Sequence, residues 1–105
     1  MRGPIRYLGV MRGEGHLACG GEPIGRAAYE IDGFQTRGGD VVGSGEIRMD
    51  AWELHRALGR KELSLTTDEG RVLEVRFSSR RSDGRTTAAH ADIGGDLPPV
   101  EQWTR

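Results

Sequence analysis

Large apolar side chains are scarce in this chain. Leucine, isoleucine, valine and phenylalanine together number 21 of 105 residues, at the edge where a chain stops being able to build a core. Charge imbalance is also lacking. The formal net charge is −1, and disorder usually needs high net charge as well as low hydrophobicity, so the chain can still collapse. A single cysteine, Cys19, excludes an intramolecular disulfide. The one lysine stands beside fourteen arginines, yet acids match bases. The basic excess usual in a nucleic-acid binder is therefore missing, and nucleic acid is not an expected partner. No stretch approaches the roughly 20 apolar residues that span a bilayer, so no membrane role is expected. The first fifteen residues hold no continuous apolar run and do not read as a secretory signal. The expected location is the cytoplasm, in a bacterium if the arginine bias reflects the coding sequence.

What is present is a repeated grammar: a glycine-marked turn, then alternating apolar and polar residues. Three stretches open with Gly-Arg, at Gly25-Arg26, Gly70-Arg71 and Gly84-Arg85. Period-two alternation means a strand with one buried and one wet face, and its repetition between glycine turns means a meander or small barrel. The fold expected is all-β: a small antiparallel barrel or strongly twisted meander of five to seven strands. One short helix at residues 50–59 falls between the third and fourth strands. Residues 1–97 form the single domain and 98–105 a C-terminal tail.

Strands are expected at residues 5–11 and 16–19, with a turn through Arg12-Gly13-Glu14-Gly15 between them, and a loop at residues 20–23. The strand at 26–34 turns Ala27, Tyr29 and Ile31 inward. The strand at 41–49 turns Val41, Ile47 and Met49 inward, with Gly43 and Gly45 on the same face. Glycine inside a strand weakens it unless something needs the room; a bend at a barrel corner explains it better than close approach of a ligand. Strands at 62–67 and 71–79 form a hairpin through Asp68-Glu69-Gly70, a three-residue loop with glycine at the left-handed position. A charged loop follows, then a last strand at 86–93. If the sheet fails to close, the first and last strands are its edges.

The helix carries its own punctuation. Asp50 can cap it, with Glu53 three residues on to reach back. Ala51, Leu54 and Leu58 make a narrow apolar stripe, Gly59 ends it, and Arg60 and Lys61 sit where the dipole favours cations. About ten residues do not hold a helix in isolation, so it should plug one end of the sheet. Trp52 lies off the stripe and shares a flank with His55. Closure of the barrel end explains Trp52 better than a role as an interface anchor.

Each chemical motif meets a plainer account. His16 and Cys19, with His55 and His90, are the residue types zinc accepts, but no second close pair answers the H-x-x-C spacing. Cys19 as a nucleophile lacks a fixed neighbour to lower its pKa. Glu30 and Asp32 share an outer face and suit cross-strand ion pairs better than acid–base work. The GGEPIG run precedes no helix whose dipole could hold phosphate. Strand-helix-strand order is that of oligonucleotide-binding barrels, but topology does not confer function. Six aromatic side chains offer few stacking platforms, and Glu30, Glu46 and Glu74 alternate with Arg26, Arg48, Arg71 and Arg76.

The expectation is a non-catalytic binding or interaction module, without cofactor or metal, for a protein partner or a second copy in a weak homodimer. Trp52, His55, Arg26 and Arg76 are its candidate interaction residues. The alternatives are a metal-binding protein or small hydrolase using His16, Cys19, His55 and His90, and a single-strand nucleic-acid binder.

Overall fold

The computed structural model describes residues 5–103. Residues 1–4, expected to be loose, and 104 and 105, at the end of the expected tail, lie outside the described residues. The elements run β1 (Arg6–Cys19), β2 (Glu22–Gln35), β3 (Val41–Met49), α1 (Ala51–Ala57), β4 (Leu63–Thr67), β5 (Val72–Phe77) and β6 (Ala88–Gly95), then a 3-10 turn at Val100–Gln102. The strands close an antiparallel barrel in the order β1-β2-β3-β6-β5-β4. It consists of two three-stranded meanders sewn together twice. One seam pairs β1 with β4, from Gly15↔Thr67 to Cys19↔Leu63. The other pairs β3 with β6, from Gly43↔Ile93 to Arg48↔Ala88. Six strands in a closed ring differ from the five-stranded, partly open oligonucleotide-binding barrel, so the likeness to that fold ends at element order.

Several boundaries differ from the sequence reading, each for a physical reason. The turn expected at residues 12–15 does not exist: β1 runs unbroken through it. Its glycines make room across the sheet. A side chain at Gly13 would strike the Tyr29 ring, and one at Gly15 would strike the Thr66 carbonyl oxygen. The loop expected at residues 20–23 shrinks to a turn at Gly20-Gly21, where φ is 57° and 89°. Two successive positive φ values match the twist of a tight hairpin. Pro23 then joins β2 beside a register shift, a place where a strand tolerates a missing donor. The last strand begins two residues late, at Ala88. Asp83 holds the amides of Arg85 and Thr86 in the preceding loop, at 2.9 and 3.2 Å. That strand is also no edge, since β3 and β5 flank β6. On the other seam, β4 reaches only Gly15, so residues 6–14 of β1 have a strand neighbour on one side alone.

The inward faces follow the alternation. Ala27, Tyr29, Ile31, Ile47, Met49, Leu63, Leu65, Leu73, Val75, Ala91 and Ile93 join one buried cluster. Burial raises the Tyr29 phenol pKa, with the carboxylates of Glu69 and Asp68 adding to it. Leu54, Ala57 and Leu58 complete the cluster from the helix. Asp50 caps α1, its Oδ2 accepting from the amides of Trp52 and Glu53, both at 3.1 Å; such caps contribute about 1 kcal/mol. The Glu53 carboxylate lies against Gly25, where any side chain would collide with it. Arg60 Nε donates to the Arg56 carbonyl at 2.6 Å, the C-terminal use of a cation that the dipole favours. The helix rests on β2 and β3 and stops one end of the barrel.

At the C-terminus, Trp103 packs against the core cluster with its ring on Gly33, and its indole N–H donates to the Pro98 carbonyl at 2.9 Å. Arg71 fastens this segment by donating to Gln102 Oε1 at 2.9 Å.

Candidate functional site

Opposite meanders meet at the β3–β6 seam, and β5 continues the sheet beyond it. The connection after α1 and the loop after β5 line the space beside this face, and the carbonyl of Arg80 lies beside Gly59. Between them is an open cleft of about 1240 Å³. Val42, Phe34, Phe77 and Ile93 give it an apolar lining. Arg60, Lys61, Arg76 and Arg80 bring cations, and Glu62, Glu74 and Asp92 bring carboxylates.

Four arginines outside the cleft are held in ion pairs. Arg12 pairs with Glu30 at 3.0 Å, Arg48 with Glu46 at 2.9 Å and Arg71 with Asp96 at 3.6 Å. Arg26 pairs with both Glu14 at 3.0 Å and Asp68 at 2.6 Å. That pair holds the Asp68 carboxyl below the usual range, with the charge of His16 adding to it, and raises the guanidinium of Arg26 further. Among the described residues no ion pair engages Lys61, Arg76 or Arg80 in the cleft, and the same is true of Arg60 beside them and of Arg6, Arg37, Arg56, Arg81 and Arg85 elsewhere. Exposed ion pairs contribute little to stability. What sets the cleft apart is grouping: three cations in no ion pair face one apolar lining, beside the carboxylates of Glu62, Glu74 and Asp92, which are in none either.

Of the four candidate interaction residues, only Arg76 lines the cleft. Arg26 sits in its ion triad with Glu14 and Asp68. Trp52 does not close the barrel end, because Leu54, Ala57 and Leu58 already fill it; it is 64% exposed. Its ring stacks on His55, centroids 5.7 Å apart, as their shared flank predicts. His55 Nδ1 also bonds Ser82 Oγ at 2.9 Å.

The histidines and the cysteine are not brought together. His16 stands between Arg26 and Thr66 in register. Cys19 is half-buried, and its thiol donates to the Lys61 carbonyl at 3.2 Å. No group of three or more His, Cys, Asp or Glu side chains among the described residues is placed to hold a metal ion. Of the outer-face carboxylates, Glu30 is ion-paired to Arg12, and Asp32 accepts from the Tyr7 hydroxyl at 2.9 Å. No helix among the described residues is long and apolar enough to cross a membrane.

Register creates one cluster that chain order conceals. Across the outer face, Ser44 opposes Asp92, which opposes Arg76; one row along, Glu46 opposes His90. His90 lies between two serines, Ser44 diagonal to it across β3 and Ser78 directly across from it. Its Nε2 is 2.8 Å from Ser44 Oγ and its Nδ1 2.7 Å from Ser78 Oγ. Both serines line the cleft. The signal that could have found them is parity: Ser44, Arg76, His90 and Asp92 are even-numbered on strands whose odd residues form the core, and Ser78 continues the parity one residue past β5.

Comparison with family models, with curated proteins and with solved structures finds no match for this chain. The chemistry of the cleft is thus the ground on which a function can be argued.

Proposed function

We propose that the protein is a binding barrel that holds an extended segment of a partner protein in this cleft, selecting segments with an acidic residue beside an apolar one. The observation that carries this reading is the grouping of Lys61, Arg76 and Arg80, none of them in an ion pair, around one apolar lining. The volume, about 1240 Å³, exceeds the roughly 300–1,000 Å³ of a small-molecule pocket. Carboxylates in the same cleft, Glu62, Glu74 and Asp92, oppose a ligand with a phosphate at every step. The cleft also lacks the succession of stacking aromatics that single strands use. A peptide can match both signs of charge and still fill the apolar floor.

Peptide display selected on the parent protein, then tested on the double variant Arg76→Glu/Arg80→Glu, checks this. Recovered peptides should be enriched in Asp or Glu next to aliphatic or aromatic residues and should lose at least about tenfold in affinity on the variant, roughly 1.4 kcal/mol. No enrichment, or equal binding to both proteins, overturns the reading.

A second reading, a weak homodimer, is favoured by the exposed Trp52–His55 stack on α1, since exposed tryptophans serve as interface anchors. Sedimentation equilibrium over a hundredfold concentration range should show mass rising above one chain in the parent and not in Trp52→Ala. A parent mass fixed at one chain removes this reading.

A further inference from the structure

We propose that Ser44 is a nucleophile, with His90 as its general base, for acyl transfer from activated, neutral carboxylic esters. This goes beyond the peptide-binding reading, does not depend on it, and departs from the non-catalytic module that the sequence suggests. A serine becomes nucleophilic when a base lies within hydrogen-bond reach and a third group orients that base. Ser44 Oγ and His90 Nε2 are 2.8 Å apart, and Ser78 Oγ stands 2.7 Å from Nδ1. A neutral imidazole has one donor and one acceptor nitrogen. The tautomer with Nδ1–H donating to Ser78 leaves Nε2 free to accept the Ser44 proton. Ser44 and His90 sit on paired strands, and the His90 carbonyl accepts from the Ser78 amide at 3.0 Å, so the spacing is fixed by the sheet rather than by mobile loops. Ser44 and Ser78 open onto the cleft, where a substrate can reach them.

In the reaction, Ser44 Oγ bonds to the acyl carbon as its proton passes to Nε2, and the carbonyl π pair moves to oxygen. The tetrahedral adduct then expels the alcohol, which takes the proton back from Nε2. Water attacks the acyl-serine with His90 again as base, and Ser44 is regenerated as the carboxylic acid leaves. Arg76 shares the cross-strand row of Ser44 but stands one strand beyond Asp92, so it is not a donor to the developing oxyanion. Asp92, between them in that row, disfavours anionic esters. Ser78 is a positioning residue. A hydroxyl at Nδ1 supports the imidazolium less than a carboxylate would, which restricts the substrates to esters with good leaving groups.

A fluorophosphonate probe tests the assignment, because an activated serine displaces its fluoride and keeps the phosphonyl group. Peptide mapping should place one label per chain on Ser44. Labelling should vanish in Ser44→Ala, slow at least about 100-fold in His90→Ala, and persist in Ser82→Ala, which removes the serine at the other bonded histidine. Ser78→Ala should slow it and Ser78→Thr should restore it. These side chains lie outside the core, and unchanged melting of each variant will separate chemistry from folding. An unlabelled parent, a label elsewhere, or equal labelling of parent and His90→Ala overturns the proposal. Since the probe needs no peptide, its failure is distinct from failure of the peptide selection.

Discussion

Replacing Leu54 with alanine should destabilise the protein by about 2–5 kcal/mol, the cost of truncating a buried leucine. Leu54 is fully buried, one of six large side chains in that condition with Leu17, Ile31, Ile47, Leu65 and Leu73. Seven helical residues have almost no intrinsic stability, so α1 exists because its Leu54 face is covered. A domain with a total stability of roughly 5–15 kcal/mol and so thin a core has little margin for that loss. Urea denaturation followed by circular dichroism should show the midpoint fall sharply or the native baseline disappear. If Leu54→Ala unfolds with the parent, α1 does not stop the barrel, and its apolar face belongs to a partner.

Gly45→Val should be at least as damaging, for the opposite reason. A Cβ at Gly45 would run into the Glu30 carbonyl oxygen and stand 2.7 Å from Ile31 Cα. Both belong to the backbone of the neighbouring strand, so no rotamer change relieves the contact; β2 and β3 must separate. Overpacking of a rigid site costs up to about 3 kcal/mol and occasionally more. The expected result is loss of cooperative unfolding, or insoluble protein on expression. Gly38→Val, in an exposed turn where the nearest contact is 3.9 Å away, is the matched control and should melt near the parent. A soluble Gly45→Val with parental stability would mean that β2 and β3 are not pressed together at this point.

These two positions also show what chain order can and cannot reveal. Leu54 could be placed because a helix repeats every 3.6 residues and Asp50 and Gly59 punctuate it. The inner faces could be placed because strands repeat every two. Gly13 and Gly15 read as a turn in the sequence, because a glycine that bends the chain and one that makes room for a neighbour are the same letter. Only the partner strand, with Tyr29 across from Gly13, distinguishes them. The exposure of Trp52 is not legible in the sequence, because a helix flank adjoining a stripe faces solvent or not according to how much the stripe alone can fill. The candidate site was least legible. Ser44 is 46 residues from His90, and their meeting depends on the register of β3 with β6, as that of Ser78 with His90 depends on β5 with β6; no local pattern encodes either. Arg76 could be named as an interaction residue, but its place beside Asp92 and Ser44 depends on the register of β5 with β6 and of β6 with β3.

Closure by two seams also shapes how the molecule must fold. Each meander is built from near neighbours, whereas Gly15↔Thr67 and Gly43↔Ile93 join residues about fifty apart. Barrels dominated by such distant pairings fold on the millisecond-to-second scale, because loop entropy is lost before the contacts repay it. Until the seams form, β1 and β3 on one side and β4 and β6 on the other are open edges, each able to pair with another chain. The same strands that bring Ser44 to His90 are therefore the ones whose delayed meeting exposes the nascent protein to misassembly.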